Sequence, residues 1–410
     1  MALSQLTQAG YAYTLVNTLV SVVAFGRNVL FMKTLGLGDV GQVAMMQTIV
    51  MLVGFAQVGA INGAYILFAE RNSKQTQKIV NVLTWGVAGL VALAGVAMMM
   101  GAGTLFAPLI APETLVIGCF AGLATLAATW MNNLLIAKSA LGRSNIINVV
   151  AVSVSLLVAI LSAEHGLGAA LVSILLQPLV VACCALVVDR DVRPSAARLD
   201  AETLRQLLSL GFMPFLGMLC ILGSYQLERW SIAFVLGEEA LGSFYLVMIY
   251  MSFFALIPVA LHNVSFPRAM RALQAGQMAD FRRIRKQHMA EILIYGAVAL
   301  IGTLWLLPVI VDRVIPEYRS SVSLTLLMFP VVLVFTLRDS AALVLYSVKN
   351  TRPILISGVI LLASYAVLLG GAALTGSFSL ANVVILRGVA VGLSTAYLFW
   401  ARHLSLRGLA

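Results

Sequence analysis

The chain has 410 residues, 61% of them hydrophobic and 10% charged, with a mean hydropathy of +1.00. A water-soluble domain carries about 25% charged residues, so this composition excludes a soluble globule and predicts an all-α polytopic membrane protein. The formal net charge of +10 would suit nucleic acid, but in a membrane chain it first has to be read as a topology signal.

The opening MALSQLTQAG has no basic n-region, which predicts a first helix that is not cleaved and stays in the membrane. At about 20 mostly apolar residues per span, twelve spans are predicted. They fall roughly at 10–32, 42–68, 79–101, 115–137, 146–163, 167–188, 211–236, 244–266, 289–311, 322–346, 354–374 and 381–401. Only the short separator AEHGLG parts the fifth from the sixth.

Lys and Arg divide unevenly between alternate loops. Nineteen fall on one side, among them Arg71, Lys78, Lys138, Arg143, Arg282 and Arg402, and only Lys33, Arg313 and Arg319 on the other. The positive-inside rule places the richer side, and both termini, in the cytoplasm. The basic charge is then explained by topology, and no nucleic-acid partner is predicted.

Two long polar stretches interrupt the apolar chain. DRDVRPSAARLDAETLRQLLSL, residues 189–210, carries Arg190, Arg193, Arg198 and Arg205 with a helix-breaking proline. It divides the chain into a six-helix lobe over 1–188, a cytoplasmic linker over 189–210 and a second six-helix lobe over 211–410. The other, RAMRALQAGQMADFRRIRKQH after the eighth span, reads either as a short amphipathic helix on the headgroups or as a solvated connector.

Cys119, Cys183, Cys184 and Cys220 all lie in apolar runs, and His165, His262, His288 and His403 are scattered. No disulfide framework, zinc site or cofactor is predicted. The chain has no GxxxxGK[ST] phosphate loop, and its outer loops are too short for a catalytic domain. An ATP-driven pump and a membrane-bound glycan polymerase or ligase are both disfavoured.

The two halves share a pattern. LGLGDVG at Leu35–Gly41 and LGEEALG at Leu236–Gly242 both read Leu-Gly-x-x-x-x-Gly, 201 positions apart, and Asn62 meets Asn263 at the same offset. LIAKSALGRSNIIN resembles LYSVKNTRPILIS, matching Lys138 with Lys349 and Arg143 with Arg352. An even number of spans per half predicts a parallel repeat about an axis along the membrane normal, a geometry common among alternating-access transporters.

LGLGDVGQVAMMQTIVMLVGFAQVGAINGAYILFAERN resembles the opening of the polysaccharide, or Wzx-type O-antigen, lipid-linked oligosaccharide flippases of the multidrug/oligosaccharidyl-lipid/polysaccharide (MOP) exporter superfamily. LLIAKSALGRSNIIN, LSLGFMPFLGML and VIPEYRSSVSLTLLMFP extend the resemblance over most of the chain. It implies a V-shaped pair of six-helix lobes around a cationic central cavity in the bacterial inner membrane. It also implies a polyprenyl-pyrophosphate-linked glycan as cargo, with membrane lipids and other polysaccharide-assembly membrane proteins as partners.

Ionisable residues at membrane depth are functional candidates. Here they are Arg27, the neighbours Glu228 and Arg229, the neighbours Arg338 and Asp339, and Arg387. Four cations against two anions suit an anionic headgroup such as pyrophosphate, which arginine grips with two parallel hydrogen bonds. Arg27, Arg229, Arg338 and Arg387 are the candidate substrate-binding residues, and Glu228 and Asp339 the coupling or charge-orienting acids. The bland readings are snorkelling for Arg27, Arg229 and Arg387, and local neutralisation within each neighbouring pair. The 201-residue offset sets Arg27 against Glu228, one position from Arg229, which predicts a shared site across a central cavity. The alternative function is a cation-coupled exporter of drugs or small metabolites, with Asp339 or Glu228 as the ion-binding acid.

Overall fold

The computed structural model describes residues 2–69, 73–105, 110–138, 140–195, 200–348 and 350–407. Arg71, Arg198 and Lys349 lie outside the described residues, as do the side chains of Lys74, Asn263 and Arg407. Among the described residues the regular structure is helical throughout, and twelve helices are long and apolar enough to cross a membrane. The physical reason is general: a spanning backbone has no water to bond with, and a helix satisfies its own N–H and C=O groups.

The chain divides into two compact units, Met1–Leu216 and Gly217–Ala410. The first holds α1 (Ala2–Thr34), α2 (Leu37–Phe55), α3 (Ala60–Ala69), α4 (Ser73–Asn81), α5 (Ala88–Leu105), α6 (Pro112–Ala137), α7 (Leu141–Ile160) and α8 (Ser162–Val188). The boundary falls inside α9 (Ala201–Leu236). The second unit continues with α10 (Glu238–Gln274), α11 (Met278–Val314), α12 (Ser321–Ser347), α13 (Arg352–Leu374) and α14 (Leu380–Arg407). The linker read from the sequence as 189–210 is therefore helical from Ala201 onward, as the first turns of a 36-residue helix.

Most breaks follow the sequence signals. AEHGLG parts α7 from the body of α8 through Gly166, at φ 60 and ψ −142, a conformation open to glycine because it has no Cβ. The second predicted span, 42–68, is instead split between α2 and α3 by a turn over Ala56–Gly59. Val58 stands at φ 46 and Gly59 at φ 90, and the Gln57 side chain caps the restart by accepting from the Ile61 N–H at 2.9 Å.

The polar stretch after the eighth span forms neither a separate surface helix nor an irregular connector. α10 and α11 continue through it and meet in a three-residue turn at Ala275, Gly276 and Gln277. Gly276, at φ 68, lets the turn close, with the Gln277 N–H donating to the Ala272 carbonyl at 2.9 Å. The apolar face of this hairpin, Ala269, Ala272, Phe281 and Ile284, packs on Leu343 and Val344 of α12. That burial explains why the basic residues there sit on ordered helices.

Within the first unit, α6 approaches α2 through Gly118 and Gly122, where an added Cβ would press on Ile49 and Val53. Lys138, just past α6, closes the same unit by donating to Asp189 at 2.7 Å and to Asp191 at 2.6 Å.

Candidate functional site

Each unit carries a membrane-depth charge on its first helix, held by its fifth and sixth spans. In the first unit Arg27 of α1 is 7% exposed. Its Nη1 donates to Ser155 Oγ of α7 at 2.6 Å and to Gln177 Oε1 of α8 at 2.8 Å. Ser155 in turn donates to the Ser173 carbonyl at 2.7 Å, which fixes its hydroxyl. Arg27 is thus held inside the unit and does not snorkel.

In the second unit Glu228 of α9 occupies the matching place. Its Oε2 accepts from Tyr365 Oη of α13 at 2.6 Å and from Arg387 Nη1 of α14 at 2.9 Å. The Arg387 guanidinium carbon also lies 4.1 Å from the centre of the Tyr225 ring, a cation–π contact. Glu228 and Arg387 are each 1% exposed. The hydrogen-bonded partner of Glu228 is therefore Arg387 and not its chain neighbour. Successive residues on a helix point about 100° apart, so Glu228 and Arg229 do not converge. Arg229 is partly buried, within electrostatic reach of Tyr245, Glu228 and Arg387.

Arg338 and Asp339 line a second feature of this unit, a cavity of about 250 Å³ bounded also by His262, Phe335 and Tyr346. Arg338 is 5% exposed. Its Nη2 donates to Ser357 Oγ at 2.9 Å, and its guanidinium carbon sits 4.9 Å from the centre of the Phe335 ring. Its Nε and Nη1 have no hydrogen-bond partner among the described residues. Nε and Nη1 face different edges of the guanidinium, so each offers an oxyanion a separate charge-assisted hydrogen bond. His262, on this wall, has its ring centre 6.0 Å from that of His288.

The first unit has an open cavity of its own, about 360 Å³, lined by residues of α1, α6, α7 and α8. Arg27 and Gln177 line it together with Thr125, Asn132, Asn133 and Asn148. No acid lines it.

The structure thus brings Glu228 and Arg387 together, and Arg338 and Asp339 onto one cavity wall, while Arg27 stands in the other unit's cavity. Sequence reasoning singled out the charges and missed the neutral residues that hold them: Ser155, Gln177, Ser357 and Tyr365. A usable signal was present on α6, where Thr125, Thr129 and Asn132 recur at helical spacing in an apolar span.

No protein-family model matches the chain, and no curated protein matches it significantly. Solved structures do share its fold. An inward-facing multidrug resistance MATE family transporter of the MOP superfamily aligns with a TM-score of 0.76 at 12% identity, over 96% of this chain and 95% of that one. The lipid II flippase MurJ, in an inward closed conformation, aligns with a TM-score of 0.71 at 13% identity, over 95% of this chain and 87% of that one. A MOP superfamily transporter from Pyrococcus furiosus, described as having a binding pocket of reverse polarity, aligns with a TM-score of 0.64 at 12% identity, over 97% and 94%. At these identities the likeness establishes the fold, a multi-pass helical membrane architecture seen in transporters and flippases.

Proposed function

We propose that this chain is an alternating-access flippase. Its cargo in this reading is a polyprenyl-pyrophosphate-linked oligosaccharide, a surface-polysaccharide repeat unit, carried from the cytoplasmic to the periplasmic leaflet of a bacterial inner membrane. The observation that carries the reading is Arg338, buried on a cavity wall with two N–H groups unused. A buried guanidinium in that state gains most from a doubly anionic partner. The excess of Arg27, Arg229, Arg338 and Arg387 over Glu228 and Asp339 acts in the same direction. The fold shared with a lipid II flippase makes a lipid-linked cargo consistent with the scaffold.

Within this reading Arg338 and Arg229 contact the pyrophosphate. Arg27 sets the positive potential of the first unit, and Arg387, neutralised by Glu228, positions α9 against α13 and α14. Asp339, on the same wall as Arg338, is the candidate coupling acid.

A cation-coupled exporter is the competing reading, favoured by that same Asp339 and by the MATE-like fold. Proteoliposomes separate the two. Under the flippase reading a fluorescent polyprenyl-pyrophosphate-linked glycan changes leaflet with the wild-type chain. Arg338→Ala then slows it at least about tenfold, since a charge-assisted bond is worth roughly 1.5–3 kcal/mol, and Arg338→Lys restores it only in part, because the planar fork is lost. Efflux of a cationic dye driven by an ion gradient, with no movement of the lipid-linked glycan, would replace this reading with the exporter.

A further inference from the structure

We propose that the open cavity lined by α1, α6, α7 and α8 is a saccharide subsite, one that takes a sugar ring of the cargo through its hydroxyl and acylamino groups. The inference rests on the flippase reading and adds a site that the reading does not need.

Four observations carry it. First, the cavity wall is polar in a bundle that is otherwise apolar. Asn132 and Asn133 on α6, Asn148 on α7 and Gln177 on α8 bring four carboxamides to one space, with the Thr125 hydroxyl beside them. These side chains are only partly buried, so their polar groups stay open to an occupant that can hydrogen-bond with them.

Second, part of that polarity is already spoken for, and what remains is a mixed set. Asn132 Oδ1 accepts from Ser144 Oγ at 2.6 Å, Asn148 Nδ2 donates to Ser144 Oγ at 3.3 Å, and Gln177 Oε1 accepts from Arg27. Asn132 Nδ2 and Gln177 Nε2 are left as donors, Asn148 Oδ1 as an acceptor, and the whole Asn133 amide and the Thr125 hydroxyl as both. Among the described residues none of these groups has a protein partner. A sugar hydroxyl both donates and accepts, and an array of adjacent hydroxyls matches such a set. A phosphate, which only accepts, would leave Asn148 Oδ1 facing like charge.

Third, the electrostatics select against cations. Arg27 stands at one end of the cavity and no carboxylate lines it. A cationic drug or coupling ion would meet a fixed positive charge. A neutral sugar is indifferent to it and an acidic sugar gains from it.

Fourth, the size fits. About 360 Å³ lies near the lower end of small-molecule pockets. Thr125 and Asn132 are separated by roughly 10 Å along α6, a reach suited to a short saccharide and too short for a polyprenyl chain.

The test uses the full-length chain in lipid nanodiscs free of sugar-based detergent. N,N′-diacetylchitobiose and maltotriose are offered at millimolar concentration and read by saturation-transfer NMR. At least one gives a signal on the wild-type chain, and the signal survives an equal concentration of inorganic pyrophosphate. Asn133→Leu and the near-isosteric Thr125→Val each weaken binding about fivefold, the loss of one hydrogen bond. Thr125→Val removes a hydroxyl with almost no change of shape, so it tests the site even where Asn133→Leu perturbs the fold. No signal from either saccharide on the wild-type chain overturns the proposal, as does a signal that neither substitution weakens or that pyrophosphate displaces. The two readings fail separately. Saccharide binding without lipid flipping removes the flippase and leaves the subsite. Flipping without saccharide binding removes the subsite alone.

Discussion

A charged residue in an apolar span is visible in any sequence, but its partner is not. Glu228 and Arg387 lie 159 positions apart and meet because α9 and α14 pack in one unit. Nothing in either segment announces the other, and Tyr365, which completes the cluster, reads in sequence as one more aromatic in the middle of an apolar span. The Arg27–Glu228 correspondence was legible through the 201-residue offset; its physical content is that each is held by the fifth and sixth spans of its own unit. Lys138 offers a residue-scale test outside the membrane. Burial raises the Asp189 carboxyl, but the Lys138 ammonium and the Asp191 backbone N–H outweigh it and hold the carboxyl below the usual carboxylate range. Burial likewise opposes the Lys138 charge, and hydrogen bonds to Asp189 and Asp191 outweigh it in the other direction. The sign follows: this stabilisation is present above the unfolded carboxylate value of about 3.9 and is lost as pH falls through the lower folded value. At the alkaline end it persists until pH rises through the raised folded value of Lys138. Lys138→Met is therefore expected to destabilise the protein by about 1–2 kcal/mol at pH 7, since it leaves Asp189 buried and unpaired. Thermal midpoints of the two proteins should converge well below pH 4; a gap of equal size at pH 7 and pH 3 would assign the effect to packing.

At the scale of elements, the helices were legible where a single physical signal dominates. Bilayer thickness fixes how many apolar residues a span needs, and Gly166 in AEHGLG marks the break before the body of α8. The turn between α2 and α3 was not legible, because its cause lies elsewhere in the chain. Gly59 faces Gly211 of α9 with no room for a Cβ on either, and Gly63 faces the Leu207 carbonyl in the same way. The chain turns at Ala56–Gly59 where α9 passes against it, and the partner glycine lies about 150 positions downstream. Backbone on both sides leaves nothing flexible to yield. Gly211→Ala is thus expected to destabilise the protein by about 1–3 kcal/mol, as overpacking does. Gly392→Ala, in α14 with no atom within 4 Å of the added Cβ, should be neutral or stabilising by up to about 1 kcal/mol through helix propensity. Thermal midpoints of the purified variants check the contrast, and equal effects would exclude the close crossing as the cause.

For the molecule as a whole, hydropathy and charge reach further than any motif, because the membrane acts on the entire chain at once. Twelve spans follow from segment length, and the orientation rests on Lys and Arg alone. The second unit gives this a compact test. The turn at Ala275 joins α10 to α11, and the turn at Ser377 joins α13 to α14; both positions are exposed. Three spanning helices, α11, α12 and α13, separate them. An odd number of crossings puts the two turns on opposite faces of the membrane. Arg268, Arg271, Arg282, Arg283, Arg285 and Lys286 flank the first turn, whereas no Lys or Arg lies between Arg352 and Arg387 around the second. Moving six positive charges outward against the membrane potential is unfavourable, so the Ala275 turn is expected on the cytoplasmic face. With Cys119, Cys183, Cys184 and Cys220 replaced, Ser377→Cys in spheroplasts should react with a membrane-impermeant maleimide. Ala275→Cys should react only after permeabilisation. Labelling of Ala275→Cys alone would invert the orientation and place both termini outside. Labelling of both in sealed cells would break the count of three crossings, and with it the twelve-span topology.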